Sequence, residues 1–138
     1  MSNYLKKITA NDLGFRNGIK KQSAYILLSK SMIGDFFPTF QENLEINVDL
    51  LDIQDNPHKV WLRTRIKKGT DGRKDQILLY LVIEPFYKTL ELSAEDIIII
   101  KKIANDKYEF SRLNASHPDY QDTLAILGKK NSKIIPNL

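Results

Sequence analysis

The chain has 138 residues, 42% of them hydrophobic and 28% charged, no cysteine and a formal net charge of +4. That length suits one domain with its own core, and the composition argues against disorder. The lack of cysteine excludes a disulfide framework and a thiolate metal site. No apolar run approaches membrane-span length, and Met1 to Lys7 lacks a signal-peptide core, so a cytoplasmic location with no membrane contact is expected.

Seven strand-like runs and two helices are predicted along the chain. Tyr4 to Thr9 alternates apolar and polar residues, and after a basic loop Ala24 to Leu28 is a short apolar run. Ser29 can cap a helix over Lys30 to Phe36, which Phe37-Pro38 stops. Leu44 to Leu51 alternates cleanly, Leu44, Ile46, Val48 and Leu50 against Glu45, Asn47 and Asp49. Lys59 to Ile66 sets Val60, Leu62, Thr64 and Ile66 against Lys59, Trp61, Arg63 and Arg65. Gln76 to Glu84 is apolar enough for a central strand. Ile97 to Ile103 and Tyr108 to Leu113 are joined by Ala104-Asn105-Asp106-Lys107, a hairpin turn. Pro118 opens a helix to Leu127 that Gly128 ends. Lys129 begins a linker or tail, so 1–128 is the domain and 129–138 the linker. Short strands of this number predict a closed or nearly closed antiparallel barrel, with an open α+β sandwich as the alternative.

Charge is segregated along the chain. Leu13 to Gly34 holds four cations and no acid; Lys59 to Asp75 holds seven cations and two acids; Gln41 to Asp55 holds five acids and no cation. Such a pattern suggests one face for a polyanion and another turned away from it.

Catalytic sets are missing. The chain has no Asp-x-Lys, Glu-x-Lys or His-x-Lys element and no Gly-x-x-x-x-Gly-Lys loop. His58 and His117 each stand beside a proline, as turn histidines do, and Glu95-Asp96 reads as a turn into Ile97. No cofactor, metal or catalytic residue is expected in this segment.

Two basic, glycine-punctuated loops carry the functional signal: Asn11 to Gln22, and Lys67 to Asp75. Glycines 14, 18, 69 and 72 let a backbone approach a duplex. Arginine can read guanine bidentately, Asn or Gln adenine, and Asp cytosine. Arg16, Asn17, Lys20, Gln22, Arg73, Lys74 and Asp75 are the base-reading candidates. Lys21, Ser23, Arg65, Lys67 and Lys68 are the phosphate-binding candidates. Tyr25 and Trp61 can support the loops or equally belong to the core.

Tyr4-Leu5-Lys6-Lys7-Ile8-Thr9-Ala10-Asn11-Asp12-Leu13-Gly14, with Tyr25 to Lys30 and Phe36-Phe37-Pro38, resembles the N-terminal effector domain of EcoRII-type restriction endonucleases. That resemblance implies a mainly β, plant B3-like pseudobarrel of seven strands, open, with two short helices, gripping the major groove by an N-arm and a C-arm. Ala10, Asn11, Asp12 and Gly14 match the start of the N-arm motif and Tyr25-Ile26 the strand leaving it. Where the family has a compact Thr-Gly-Gly/Ser-His-Gln stretch, this chain has the longer Arg16 to Ser23, in which Gly18 and Gln22 correspond. Arg73-Lys74-Asp75 looks like the family's Arg-x-Glu element. The implied partners are double-stranded DNA and a nuclease catalytic domain in the same or another chain. The alternatives are a protein-interaction barrel for an acidic partner, and a single-strand binder, for which only Phe15 offers an aromatic in the arms.

Overall fold

The computed structural model describes residues 2–28, 36–37, 44–50, 57–104 and 107–136; for 44–50, 57–67, 76–77 and 79 it describes the backbone and its pairing. The expected helix Lys30 to Phe36 lies outside the described residues apart from Phe36.

Ten strands and two helices are described: β1 (Asn3–Lys7), β2 (Phe15–Arg16), β3 (Ile19–Lys20), β4 (Tyr25–Leu28), β5 (Leu44–Leu50), β6 (Pro57–Lys67), β7 (Gln76–Val82), α1 (Glu84–Leu90), β8 (Ile97–Ala104), β9 (Lys107–Leu113), α2 (Tyr120–Leu127) and β10 (Ser132–Ile135). Eight strands form one sheet in the order β10-β1-β8-β9-β5-β6-β7-β4, and β2 and β3 form a separate hairpin. All neighbours are antiparallel except β5 and β9, which run parallel. The sheet has two ends among the described residues, so it is an open, mainly β arrangement and not a closed barrel.

The core explains the sequence patterns. One cluster gathers Tyr4, Ile8, Ile26, Leu81, Phe86, Ile98, Ile100, Tyr108 and Phe110 with their neighbours. A second gathers Leu5, Ile97, Leu113, Tyr120 and Leu127. Tyr4 and Leu5 are adjacent on β1 yet belong to different clusters, because successive strand residues point to opposite faces. Strand β8 feeds both clusters as well. Its unbroken Ile97 to Ile100 run thus reflects burial on two faces, the outer one covered by α2.

Several expectations need correction. Among the described residues the seven expected strands become ten, because the first basic loop contains a hairpin and Ser132–Ile135 forms another strand. Ser132–Ile135, within the stretch read as linker, pairs antiparallel with β1, so the sheet extends beyond residue 128. Pairing there satisfies the outer backbone groups of β1, which an unpaired edge would leave open. Helix α1 begins where the apolar run into Glu84 reads as strand. The strand stops at Val82; Glu84 and Pro85 open a helix that buries Phe86 and Leu90 four residues apart. Helix α2 starts two residues later than read, with Asp119 at its N-cap, and ends at Gly128 as expected. His58 lies in β6, paired with Val48, rather than in a turn. His117 does serve a turn: its Nδ1 accepts the Asp119 N–H at 3.1 Å.

Candidate nucleic-acid interface

The first arm grows from a braced base. Thr9 N–H donates to Asp12 Oδ2 at 2.9 Å, and Asp12 N–H to Thr9 Oγ1 at 3.2 Å. Lys6 Nζ lies 3.3 Å from the same Asp12 oxygen. The Tyr25 N–H donates to the Asp12 carbonyl at 2.9 Å, which ties the start of the arm to its exit. Asp12 therefore braces the base of the arm. Gly14 has φ +90° and lies so near the chain's return that a Cβ would sit 1.9 Å from the Gln22 oxygen. Only glycine fits that crossing.

Beyond it the arm is the β2–β3 hairpin, with Phe15 opposite Lys20 and Arg16 opposite Ile19. Its tip is Asn17-Gly18, with φ of 53° and 76°, the pair of positive values that a type I′ turn requires. Arg16, Asn17, Lys21, Gln22 and Ser23 are exposed, and so is Ile19 at 60%. Arg16 Nη1 donates to the carbonyl of Phe15 at 2.8 Å and to Asn11 Oδ1 at 3.2 Å, so its guanidinium is pre-positioned along the arm while open to solvent.

Lys20 differs from the other cations. Its ammonium donates to the Leu13 carbonyl at 2.6 Å, the Gln22 carbonyl at 3.2 Å and Glu84 Oε2 at 3.0 Å. It also lies 4.3 Å from the centroid of the Tyr87 ring. An ammonium has three N–H donors, and all three are engaged. Sequence reasoning missed Glu84, which sits 64 residues away on α1; nothing local announces such a partner. Phe15 packs edge-on against Tyr87, centroids 6.4 Å apart, and is half-buried.

The second arm repeats the tip. Asp71 and Gly72 have φ of 56° and 80°, and the Arg73 N–H donates to the Thr70 carbonyl at 3.1 Å. Arg16 precedes one positive-φ pair and Arg73 follows the other. Gly69 is crowded as Gly14 is: a Cβ would sit 1.9 Å from the Arg73 oxygen. Asp75 Oδ1 accepts the Gly69 N–H at 2.9 Å, and Asp75 Oδ2 lies 3.7 Å from Lys68 Nζ. Arg73 and Lys74 are exposed.

Strands β4 and β7 separate the arms. Tyr25 pairs with Val82 and Leu28 with Leu79, so the first arm enters at one end of β7 and the second at the other. Seven residues of strand put those roots about 20 Å apart. Ile26 and Leu81 face the core. The opposite face carries a cleft of about 270 Å³ lined by Gln22, Ser23, Tyr25, Leu27, Leu78 and Tyr80. Tyr25 and Tyr80 meet edge-on at 5.4 Å, and Leu27 is 55% exposed. The register sets Arg63, Arg65 and Lys67 of β6 opposite Tyr80, Leu78 and Gln76, positions on that same strand face. The side chain of Trp61 lies outside the described residues. Among the described residues no group of three or more His, Cys, Asp or Glu is gathered, and no helix is long and apolar enough to cross a membrane.

No family model and no curated protein matches the chain. Solved structures do. The N-terminal domain of Helicobacter pylori LlaJI.R1 aligns over 100% of both chains at 14% identity and a TM-score of 0.65. The Arabidopsis FUS3-DNA complex aligns over 81% of this chain and 96% of that one, at 16% identity and a TM-score of 0.53. The fold class is therefore B3-like, as the residues around Tyr4 to Gly14 suggested. What the chain shares with LlaJI.R1 and FUS3 is this fold, at identities too low to carry more.

Proposed function

We propose that this domain binds double-stranded DNA sequence-specifically, with both arms in the major groove, as the effector or target-recognition module of a type II restriction endonuclease. The cleaving domain would lie in the same or a partner chain. The observation that carries this reading is the matched pair of arms: two glycine-tipped loops, each bearing an exposed arginine, at opposite ends of one strand face. The likeness of fold to FUS3, whose structure is a DNA complex, supports it.

In this reading Arg16, Asn17, Gln22, Arg73 and Lys74 read bases, and Lys21, Ser23, Arg65, Lys67 and Lys68 meet phosphates. Lys20 and Asp75 are assigned instead to holding the arms, since their charged atoms are already engaged. Phe15 is packed on Tyr87, which takes from the single-strand alternative the one arm aromatic it had.

The test is selection from a random duplex library, followed by binding to the selected site, its single-base variants, the matching single strand and heparin. Recovery of a defined site, weakened by single-base changes and poorly competed by single strand or heparin, is expected. No enrichment, or equal competition by heparin, would sink the reading in favour of a general polyanion surface.

A further inference from the structure

We propose that Glu84 is a positioning residue for DNA readout: it fixes the pose of the first arm through Lys20. The inference deepens the DNA-reading proposal and rests on it.

The three acceptors of the Lys20 ammonium come from three places. Leu13 is the outgoing root of the arm, Gln22 the returning root, and Glu84 the first residue of α1. One charged group thus joins both legs of the arm to a helix that is itself anchored in the core by Phe86 and Leu90. Glu84 Oε2 also accepts the Ala24 N–H, at the residue where the arm ends and β4 begins. The pair is sheltered, with side chains 29% and 16% exposed, and the Tyr87 ring covers the ammonium. Such shelter strengthens the attraction and limits screening by salt.

The lever to the tip is short. Lys20 pairs with Phe15 and Ile19 with Arg16, so the arginine sits one pair beyond the stapled residue. Displacing Lys20 displaces β3 and, through their pairing, the strand β2 that carries Arg16. The charge bookkeeping agrees with a positional role. The arm's own acid, Asp12, is paired with Lys6, and a further acid brought to the foot of a DNA-binding arm opposes the attraction to phosphate. Its place there is explained by geometry rather than affinity.

The test compares the intact chain with Glu84→Gln, Glu84→Ala and Lys20→Met. Glu84→Gln keeps the volume and an acceptor for Ala24 while removing the charge. Without DNA, amide exchange at Lys21 and Gln22, whose N–H groups both donate to the Gly14 carbonyl, is expected to quicken in all three variants while the global melting temperature moves little in Glu84→Gln. With DNA, discrimination between the selected site and its single-base variants is expected to fall by about tenfold, with non-specific affinity unchanged or higher. The Lys20→Met/Glu84→Gln double variant is expected to be no worse than the worse single one, because both act through one link. Unchanged arm exchange overturns the staple. Quickened exchange with one common loss on every duplex overturns its role in readout. A wild-type chain that binds all duplexes alike overturns the DNA-reading proposal and Glu84's role in readout with it, and the exchange data alone then decide whether the staple exists.

Discussion

Asp75 closes the second arm onto Gly69: one carboxylate oxygen holds the Gly69 N–H at 2.9 Å while the other faces Lys68 at 3.7 Å. The brace spans the loop that presents Arg73 and Lys74. Asp75→Ala is expected to quicken amide exchange at Gly69 and blunt discrimination among duplexes. It should also retain or raise non-specific affinity, because a negative charge leaves a polyanion site. Asp75→Asn, which keeps an acceptor, should preserve most discrimination. The pair is exposed, so the cost in global stability should stay under about 1 kcal/mol. Loss at a single base pair with unchanged exchange would make Asp75 a reader of cytosine instead.

The glycines of the first arm differ in kind. A side chain at Gly14 meets the Gln22 carbonyl, whereas one at Gly18 meets nothing within 4 Å. Gly14→Ala should therefore cost about 3 kcal/mol or more, from backbone strain plus collision. Gly18→Ala should cost only about 1 kcal/mol, the left-handed penalty alone. Denaturant melts of the two variants decide it; equal losses would contradict the crossing at Gln22.

Arg73 is exposed beside the Asp71-Gly72 turn. Arg73→Ala should cost about 1–3 kcal/mol on the selected site and relax preference at one guanine. Arg16→Ala should do the same at a different position, and Asn11→Ala should reproduce part of it by releasing the Arg16 guanidinium. Binding to every single-base variant of the site is the measurement. One common factor of loss across all variants would mean that the arms position the domain without reading it.

Lys67 and Lys68 flank the second arm on the β6 side. Replacing both with alanine should weaken specific and non-specific binding alike and reduce the slope of log K against log salt by up to about two. An unchanged slope would show that neither meets a phosphate.

Tyr4 gives an alkaline signature. Burial in the main core, only partly offset by its hydrogen bond to Ser132, pushes the phenol well above its ordinary value of 10.0. A raised folded value favours the neutral phenol in the native state. Its contribution is thus whole below the unfolded value and is lost as pH climbs towards the folded one. Stability should fall progressively as pH rises above about 10. Tyr4→Phe should cost about 1 kcal/mol at neutral pH through the lost hydrogen bond, yet flatten that decline. Denaturation across this range is the check, and an unaltered alkaline slope in Tyr4→Phe would refute it.

What the sequence determined by itself was local. The alternation of Leu44 to Leu51 and Lys59 to Ile66 marked β5 and β6 because side-chain period is a backbone property. Gly128 ended α2, and glycines among cations marked both arms, for equally local reasons. The charge map located the exposed cations Arg16, Lys21, Arg73 and Lys74 without any structure. Tertiary structure decided everything that depends on a distant partner. The parallel pairing of β5 with β9, the docking of Ser132–Ile135 on β1 and the helix at Glu84–Leu90 follow from which edges and apolar faces remained to be covered. Lys20 and Asp75 show the same division in the candidate site. The type and position of each allow base reading. Each is also held by its surroundings: Asp75 by a neighbour six residues away across a turn, Lys20 by a carboxylate 64 residues away. A charge's task depends on what lies within about 3 Å of it, and the chain order does not encode that distance until the fold has formed.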